Sequence, residues 1–214
     1  MKKASFENNI CIVVQGPLTY INEIIHIYKP FKDNVIISTN DNSEKTLKLL
    51  NENNFKFIIN EIALYSGRAN FNNQVKNTFE GIEEASKLKF KYILKIRSDI
   101  FIDNLAKFIN LLDKESFYFP AFHNYDGGYL CDHMMFGPIE FMLKLWNIPL
   151  SNSNLPPETQ LTKRYDEIDL NYNIKFLFPL LYNHDIKAYW MKYRMFLNAY
   201  EHDKLFIYEK IKYA

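Results

Sequence analysis

Four short apolar runs, each followed by a segment of helical period, constrain this chain more than any other feature. Ile10–Val14 (ICIVV) is continuously apolar and closed by Gly16-Pro17, the pattern of a strand buried on both faces. Val35–Ser38 (VIIS), Phe55–Ile59 and Tyr92–Ile96 repeat it. Between them, Ile21, Ile24, Ile25 and Tyr28 are spaced i, i+3, i+4, i+7, which marks one helical face ending near Pro30. Asp41–Asn53 reads as a second helix with Leu47 and Leu50 inward and an Asp/Ser cap. Residues 73–86 read as a third, facing inward through Val75, Phe79, Ile82 and Ala85. A fourth carries Leu105, Phe108, Ile109 and Leu112, with Asp103 as its cap. A β-α-β-α-β order of this kind predicts an α/β fold: a mostly parallel sheet with flanking helices and ligands at the carboxyl ends of its strands.

The second half is less regular. Phe117–Phe122 reads as a strand, 123–128 as a polar turn, and Ile139–Trp146 as a helix. Pro156-Pro157-Glu158 opens another helix, with proline suited to its first turn. The expected organisation is one domain over residues 1–214. A nucleotide-binding half spans about 1–115, and an irregular acceptor-side half about 116–214.

Composition narrows the function. With 48% hydrophobic and 16% aromatic residues the 214-residue chain is expected to fold, and a net charge of +1 offers no field for nucleic acid. MKKASFENN lacks the apolar run of a signal peptide, and no run approaches the roughly 20 residues of a membrane span. A cytoplasmic protein is expected, with Cys11 and Cys131 as buried thiols. Neither a G-x-G-x-x-G nor a G-x-x-x-x-G-K-[ST] motif occurs, which disfavours a dehydrogenase and a P-loop kinase.

Several polar residues stand where polarity needs a reason. YILKIRSDIF ends a strand in Arg97 and Asp99, over the expected crevice. There a carboxylate can hold a divalent cation and an arginine can fork onto phosphate; equally, the two can form a structural pair. Arg68, Asn73 and Gln74 lie at a strand-to-helix junction, where free amides favour anions, and where an asparagine also serves as a plain cap. Asp126, Asp132 and His133 put two acids and an imidazole within eight residues, suited to a metal or an acceptor hydroxyl. Glu158 at a helix start suits a general base, though the helix dipole alone favours a carboxylate there. His184-Asp185 fits a late metal ligand or a surface turn. The aromatic and basic stretch Tyr189–Tyr213 suits core, with peripheral membrane contact as a further use.

Taken in order, ICIVVQGPL, NNQVKNTFEGIEEA, YILKIRSDIF, CDHMMFGP and PPETQL resemble the WavE family of lipopolysaccharide-synthesis proteins, across roughly residues 10–165. The resemblance implies a GT-A-like, Rossmann-like fold and a glycosyltransferase of bacterial surface glycans, lipopolysaccharide or capsule. Its partners would be a nucleotide-sugar donor and a glycan or lipid-linked acceptor, at the inner face of the cytoplasmic membrane. It places the donor base near Gln15, Gly16 and Asn40, the diphosphate near Arg68, Arg97 and Asp99, and the acceptor near Asp132 and Glu158. It implies Mn²⁺ or Mg²⁺ held by an Asp-x-Asp motif. Here Asp99-Ile100-Phe101 puts phenylalanine at the second acid. Either His184 or Asp132 completes a metal site, or Arg68 and Arg97 serve without metal. The competing functions are a nucleotidyltransferase, disfavoured because QGPLTY has one glycine and no basic residue, and a non-catalytic nucleotide- or glycan-binding protein.

Overall fold

The computed structural model describes residues 9–120, 122–123, 129–150, 152, 154–168 and 172–196. The four apolar runs form β1 (Ile10–Gln15), β2 (Val35–Thr39), β3 (Lys56–Ile59) and β4 (Tyr92–Arg97), all parallel. Their connections are α1 (Ile21–Tyr28), α2 (Glu44–Glu52) and α3 (Phe71–Lys87). Ser43 caps α2 by accepting from the Thr46 amide. After β4 come β5 (Ile100–Ile102) and α4 (Leu105–Asn110). Asn104, rather than Asp103, caps α4: its side chain accepts from Lys107 N. Asp103 is instead engaged across the chain, accepting from Lys187 N.

The second half extends the same sheet. It comprises β6 (Ser116–Phe119), β7 (Phe122–His123), β8 (Tyr129–Leu130), β9 (Met134–Pro138), α5 (Ile139–Trp146), α6 (Pro157–Asp166), β10 (Asn173–Phe176), α7 (Leu177–Asn183), β11 (Ala188–Trp190) and β12 (Met195–Phe196). The main sheet has seven strands in the order β10-β6-β9-β4-β1-β2-β3, and only β9 runs antiparallel to its neighbours. The expected single strand 117–122 is split into β6 and β7, and β7 pairs with β8 as a separate hairpin. A three-stranded sheet, β12-β11-β5, lies beside them.

Strand alternation divides the core in two. Ile10, Ile12 and Val14 of β1 join one apolar layer with α1, α2, α4 and α7. Cys11 and Val13 face the other, with α3, α5 and α6. Both cysteines are buried, and neither forms a disulfide among the described residues. α3 sits very close to the sheet at Gly81, where a Cβ would lie 2.5 Å from Val13 Cγ1 and 3.2 Å from Ser38 Cβ. No described helix is long and apolar enough to cross a membrane.

The closeness of α3 is testable. Gly81→Ala must push the helix off β1 and β2, an overpacking cost of about 1–3 kcal/mol. Thermal unfolding should show a melting temperature several degrees lower.

Candidate functional site

A cleft of about 890 Å³ opens at the carboxyl ends of β1, β2 and β4, beside the start of α3. Gln15, Gly16, Asn40, Asn73, Gln74, Arg97 and Asp99 all line it. Gly16 has φ +127°, and a Cβ there would lie 2.6 Å from Ser98 Oγ. Glycine therefore lets the β1 and β4 ends close on one another, with Ser98 N bonded to Gln15 O at 2.8 Å. On the far rim, Ala69 (φ +52°) and Asn70 (φ +64°) both adopt left-handed backbone just before α3. Non-glycine residues there carry strain of the kind that collects at ligand sites.

Arg97 and Asp99 face each other. Arg97 Nε donates to Asp99 Oδ1 at 3.0 Å and Nη2 to Oδ2 at 2.9 Å, a bidentate fork. Trp190 Nε1 also donates to Asp99 Oδ2, at 2.9 Å. The Trp190 ring lies between His133 and Tyr193, each 4.4 Å away by centroid, and Arg97 approaches it at 5.4 Å. Burial works to raise the Asp99 pKa, but the Arg97 hydrogen bonds and charge, the Trp190 bond and His133 together hold it below the ordinary carboxylate value. Asp99 stays ionised.

Antiparallel β9 brings the second cluster. Its pairing of Met134 with Ile96 carries the preceding residues past the end of β4, and Arg97 N donates to His133 O at 3.1 Å. Lys95, fully buried inside β4, donates to the Asp132 carbonyl and lies 4.9 Å from the Trp146 ring centroid. Burial pulls the Lys95 pKa down to about 8, although Asp132 opposes the shift. Asp132 is 2% exposed, and Gln74 Nε2 donates to its Oδ2. Burial would raise the Asp132 pKa, but the charges of Lys95, His133 and Arg97 and the Gln74 bond hold it well below the carboxylate range. An ionised carboxylate only accepts, so it fixes the Gln74 amide with nitrogen inward and leaves the Oε1 acceptor for the cleft.

The neighbouring asparagines satisfy one another. Asn77 bridges Asn60 and Asn40 with two bonds of 2.8 Å, Asn60 reaches Ser38, and Asn40 also donates to the carbonyls of Asn60 and Glu61. Asn73 accepts from Ala63 N and donates to Asn70. Gln15 differs. It is 4% exposed and lines the cleft, yet its side chain makes no hydrogen bond among the described residues.

Other expected site residues lie elsewhere. Asp126 falls outside the described residues. Arg68 is outside the cleft lining and donates to Asn154 O at 3.3 Å, tying the rim before α3 to the segment leading into α6. Glu158 sits in the first turn of α6, half-buried and outside the lining. Asp132 is enclosed rather than facing the cleft. His184 is exposed at the end of α7, where its carbonyl accepts from Lys107. Asp99 lies at the β11 end nearest Met191, whereas His184 lies beyond the Asp103–Lys187 pair at the other end of β5. The three residues of β5 separate Asp99 from Asp103, four steps of extended chain or about 13 Å, so the structure does not bring Asp99 and His184 together. Cys131, Asp132 and His133 do converge, with potential ligand atoms within 4.8 Å of one another. The unanticipated members are Lys95, whose signal was a lysine inside an otherwise apolar strand, and Trp190 as the partner of Asp99.

No protein-family model matches the sequence, and no curated protein matches it significantly. Solved structures resemble it remotely. A cytidylyltransferase from Leptospira borgpetersenii is 12% identical at a TM-score of 0.49, over 78% of this chain and 76% of that one. A 4-diphosphocytidyl-2C-methyl-D-erythritol synthase from Anaerococcus prevotii is 13% identical at 0.48, over 78% and 87%. A glycosyltransferase involved in glycosylating the major capsid of the virus PBCV-1 is 16% identical at 0.42, over 79% and 82%.

The ionised state of Asp132 predicts an acid response. Its native pKa, like that of Asp99, lies below the ordinary 3.8, so each contributes stability that is present above pH 3.8 and is lost as pH falls below it. Asp132→Asn leaves Lys95 buried without its counter-charge and should cost about 3–5 kcal/mol at neutral pH. Melting temperatures from pH 6 to 2.5 should be lower throughout and fall less steeply below pH 4 than in the unmodified protein.

Proposed function

We propose that this protein is a glycosyltransferase that moves a sugar from a nucleotide-sugar donor to a hydroxyl of a bacterial surface glycan. The observation that carries the reading is the cleft at the carboxyl ends of β1, β2 and β4, with Gln15 and the Gln74 acceptor buried at its wall and Arg97 beside them. Its volume of about 890 Å³ lies within the range of small-molecule sites, roughly 300–1,000 Å³. The order of the WavE-like segments supports the same reading, because three of them, ICIVVQGPL, NNQVKNTFEGIEEA and YILKIRSDIF, contribute side chains to this one cleft.

In this reading the donor lies along the strand ends. Gln15 and Gln74 bond to the nucleoside or sugar, and the leaving diphosphate points toward Arg97. Transfer passes through an oxocarbenium-like state in which negative charge builds on that phosphate, and a fixed guanidinium stabilises it. If the anomeric centre inverts, a carboxylate takes the acceptor proton. Asp132 is committed to Gln74 and enclosed, so we assign the role to Glu158. It stands four residues beyond Asn154, which Arg68 ties to the cleft rim.

The test is a donor screen. Incubation with UDP-, GDP-, ADP- and CMP-sugars and mass spectrometry of the products should show one donor slowly hydrolysed to free sugar and nucleotide. Conversion of a nucleoside triphosphate and a sugar phosphate to nucleotide-sugar, with release of pyrophosphate, would assign nucleotidyl transfer instead. For the active donor, Gln15→Leu should weaken binding by about 3- to 10-fold, the loss of one hydrogen bond, without lowering the melting temperature. An unchanged Kd would remove Gln15 from the site.

A further inference from the structure

The GT-A resemblance implies a divalent cation, and the residues around Asp99 do not fit one. A hard cation of this kind takes about six oxygen ligands and needs carboxylate oxygens free to coordinate. Asp99 Oδ1 is bonded to Arg97 Nε, and Oδ2 to both Arg97 Nη2 and Trp190 Nε1. Its backbone carbonyl accepts from Met191 N at 2.9 Å. Phe101, at the position of the second acid, is buried in β5 and paired in register with Tyr189. His184 lies at the other end of β5. The Cys131, Asp132 and His133 group offers a thiol and an imidazole, a softer set than Mg²⁺ or Mn²⁺ takes, and two cations, Lys95 and Arg97, already act on its carboxylate.

Resting on the donor-site reading above, we infer that the phosphates of the ligand are met by Arg97, with Lys192 at the rim, and that binding needs no divalent cation. Asp99 and Trp190 are positioning residues that aim the Arg97 fork. A guanidinium carries five N–H donors, and two are spent on Asp99, so the rest of the fork is left for phosphate. Trp190 is itself held between His133 and Tyr193, which keeps both its N–H and its face in register with Arg97. Lys192, two residues further on, is exposed and lines the same cleft. The chain from 190 to 193 thus brings a cation to the cleft mouth by the same contact that orients Arg97. Phosphate binding by a planar fork also explains why arginine stands here: lysine carries the charge without the paired geometry.

The probe is inorganic pyrophosphate, titrated calorimetrically into the full chain in EDTA and again in Mn²⁺. The Kd should agree within about twofold between the two buffers. Arg97→Gln should weaken it at least tenfold in both, Arg97→Lys should recover part of that loss, and Asp99→Asn should weaken it several-fold by an equal factor in each, with the melting temperature followed for every variant. Binding seen only with Mn²⁺, binding in neither buffer, or an Asp99→Asn loss confined to Mn²⁺ would overturn the inference. UDP, GDP, CDP and ADP titrated alongside judge the donor-site reading separately. If none binds more tightly than pyrophosphate, that reading fails, while the EDTA comparison still decides the question of the cation.

Discussion

A lysine buried in the central strand sets the terms for the whole site. Lys95 of β4 has no access to water, and an ammonium in that position demands close compensation. Three groups provide it: the Asp132 carbonyl, the Asp132 charge and the face of Trp146. The first two belong to one residue ahead of β9 and the third to α5, and together they lock β4, the turn into β9, and α5. Once Asp132 is fixed beside Lys95, it takes the Gln74 amide, and the first turn of α3 is fixed as well. The walls of the cleft are therefore held by electrostatic necessity rather than by apolar packing alone.

The one antiparallel strand of the main sheet, among the described residues, makes this possible. A parallel neighbour would send its amino end to the far edge of the sheet. β9 instead begins where β4 ends, so Asp132 and His133 arrive at the carboxyl edge, where β1, β2 and β4 deliver Gln15, Asn40 and Arg97. His133 then packs at a tilt against Trp190, and Trp190 bonds to Asp99. Two ion clusters, Lys95–Asp132 and Arg97–Asp99, stand side by side along the same edge. Arg97 belongs to both, since the Asp132 charge as well as Asp99 raises its pKa against the effect of burial.

The alternation of β1 to β4 with α1 to α3 was legible because strands buried on both faces are written as unbroken apolar runs, and the intervening helices keep their period. Arg97 and Asp99 were legible as charges at a strand end, with a structural pair as one of two readings, because residues i and i+2 can equally diverge where a strand turns. The polar face of α3 was not legible. Val75, Ile82 and Ala85 show the helical stripe, yet Asn72, Asn73, Gln74, Asn77 and Thr78 are buried too. The early turns of that helix cover strand ends rich in polar groups, and single-sequence periodicity reads such residues as solvated. The direction of β9 was likewise hidden, since the apolar run from Met134 to Phe136 is the same in either orientation.

If the strand-end cleft is the ligand site, hydrogen exchange in the presence of whichever nucleotide the donor screen identifies should register it there. Amides at residues 15–20, 66–77 and 97–99 should slow, because these segments line the cleft or begin its walls. The groove formed by His26, Phe31, Asp103 and Tyr189 should exchange as before. Slowing confined to that groove, with the strand ends unchanged, would contradict the account.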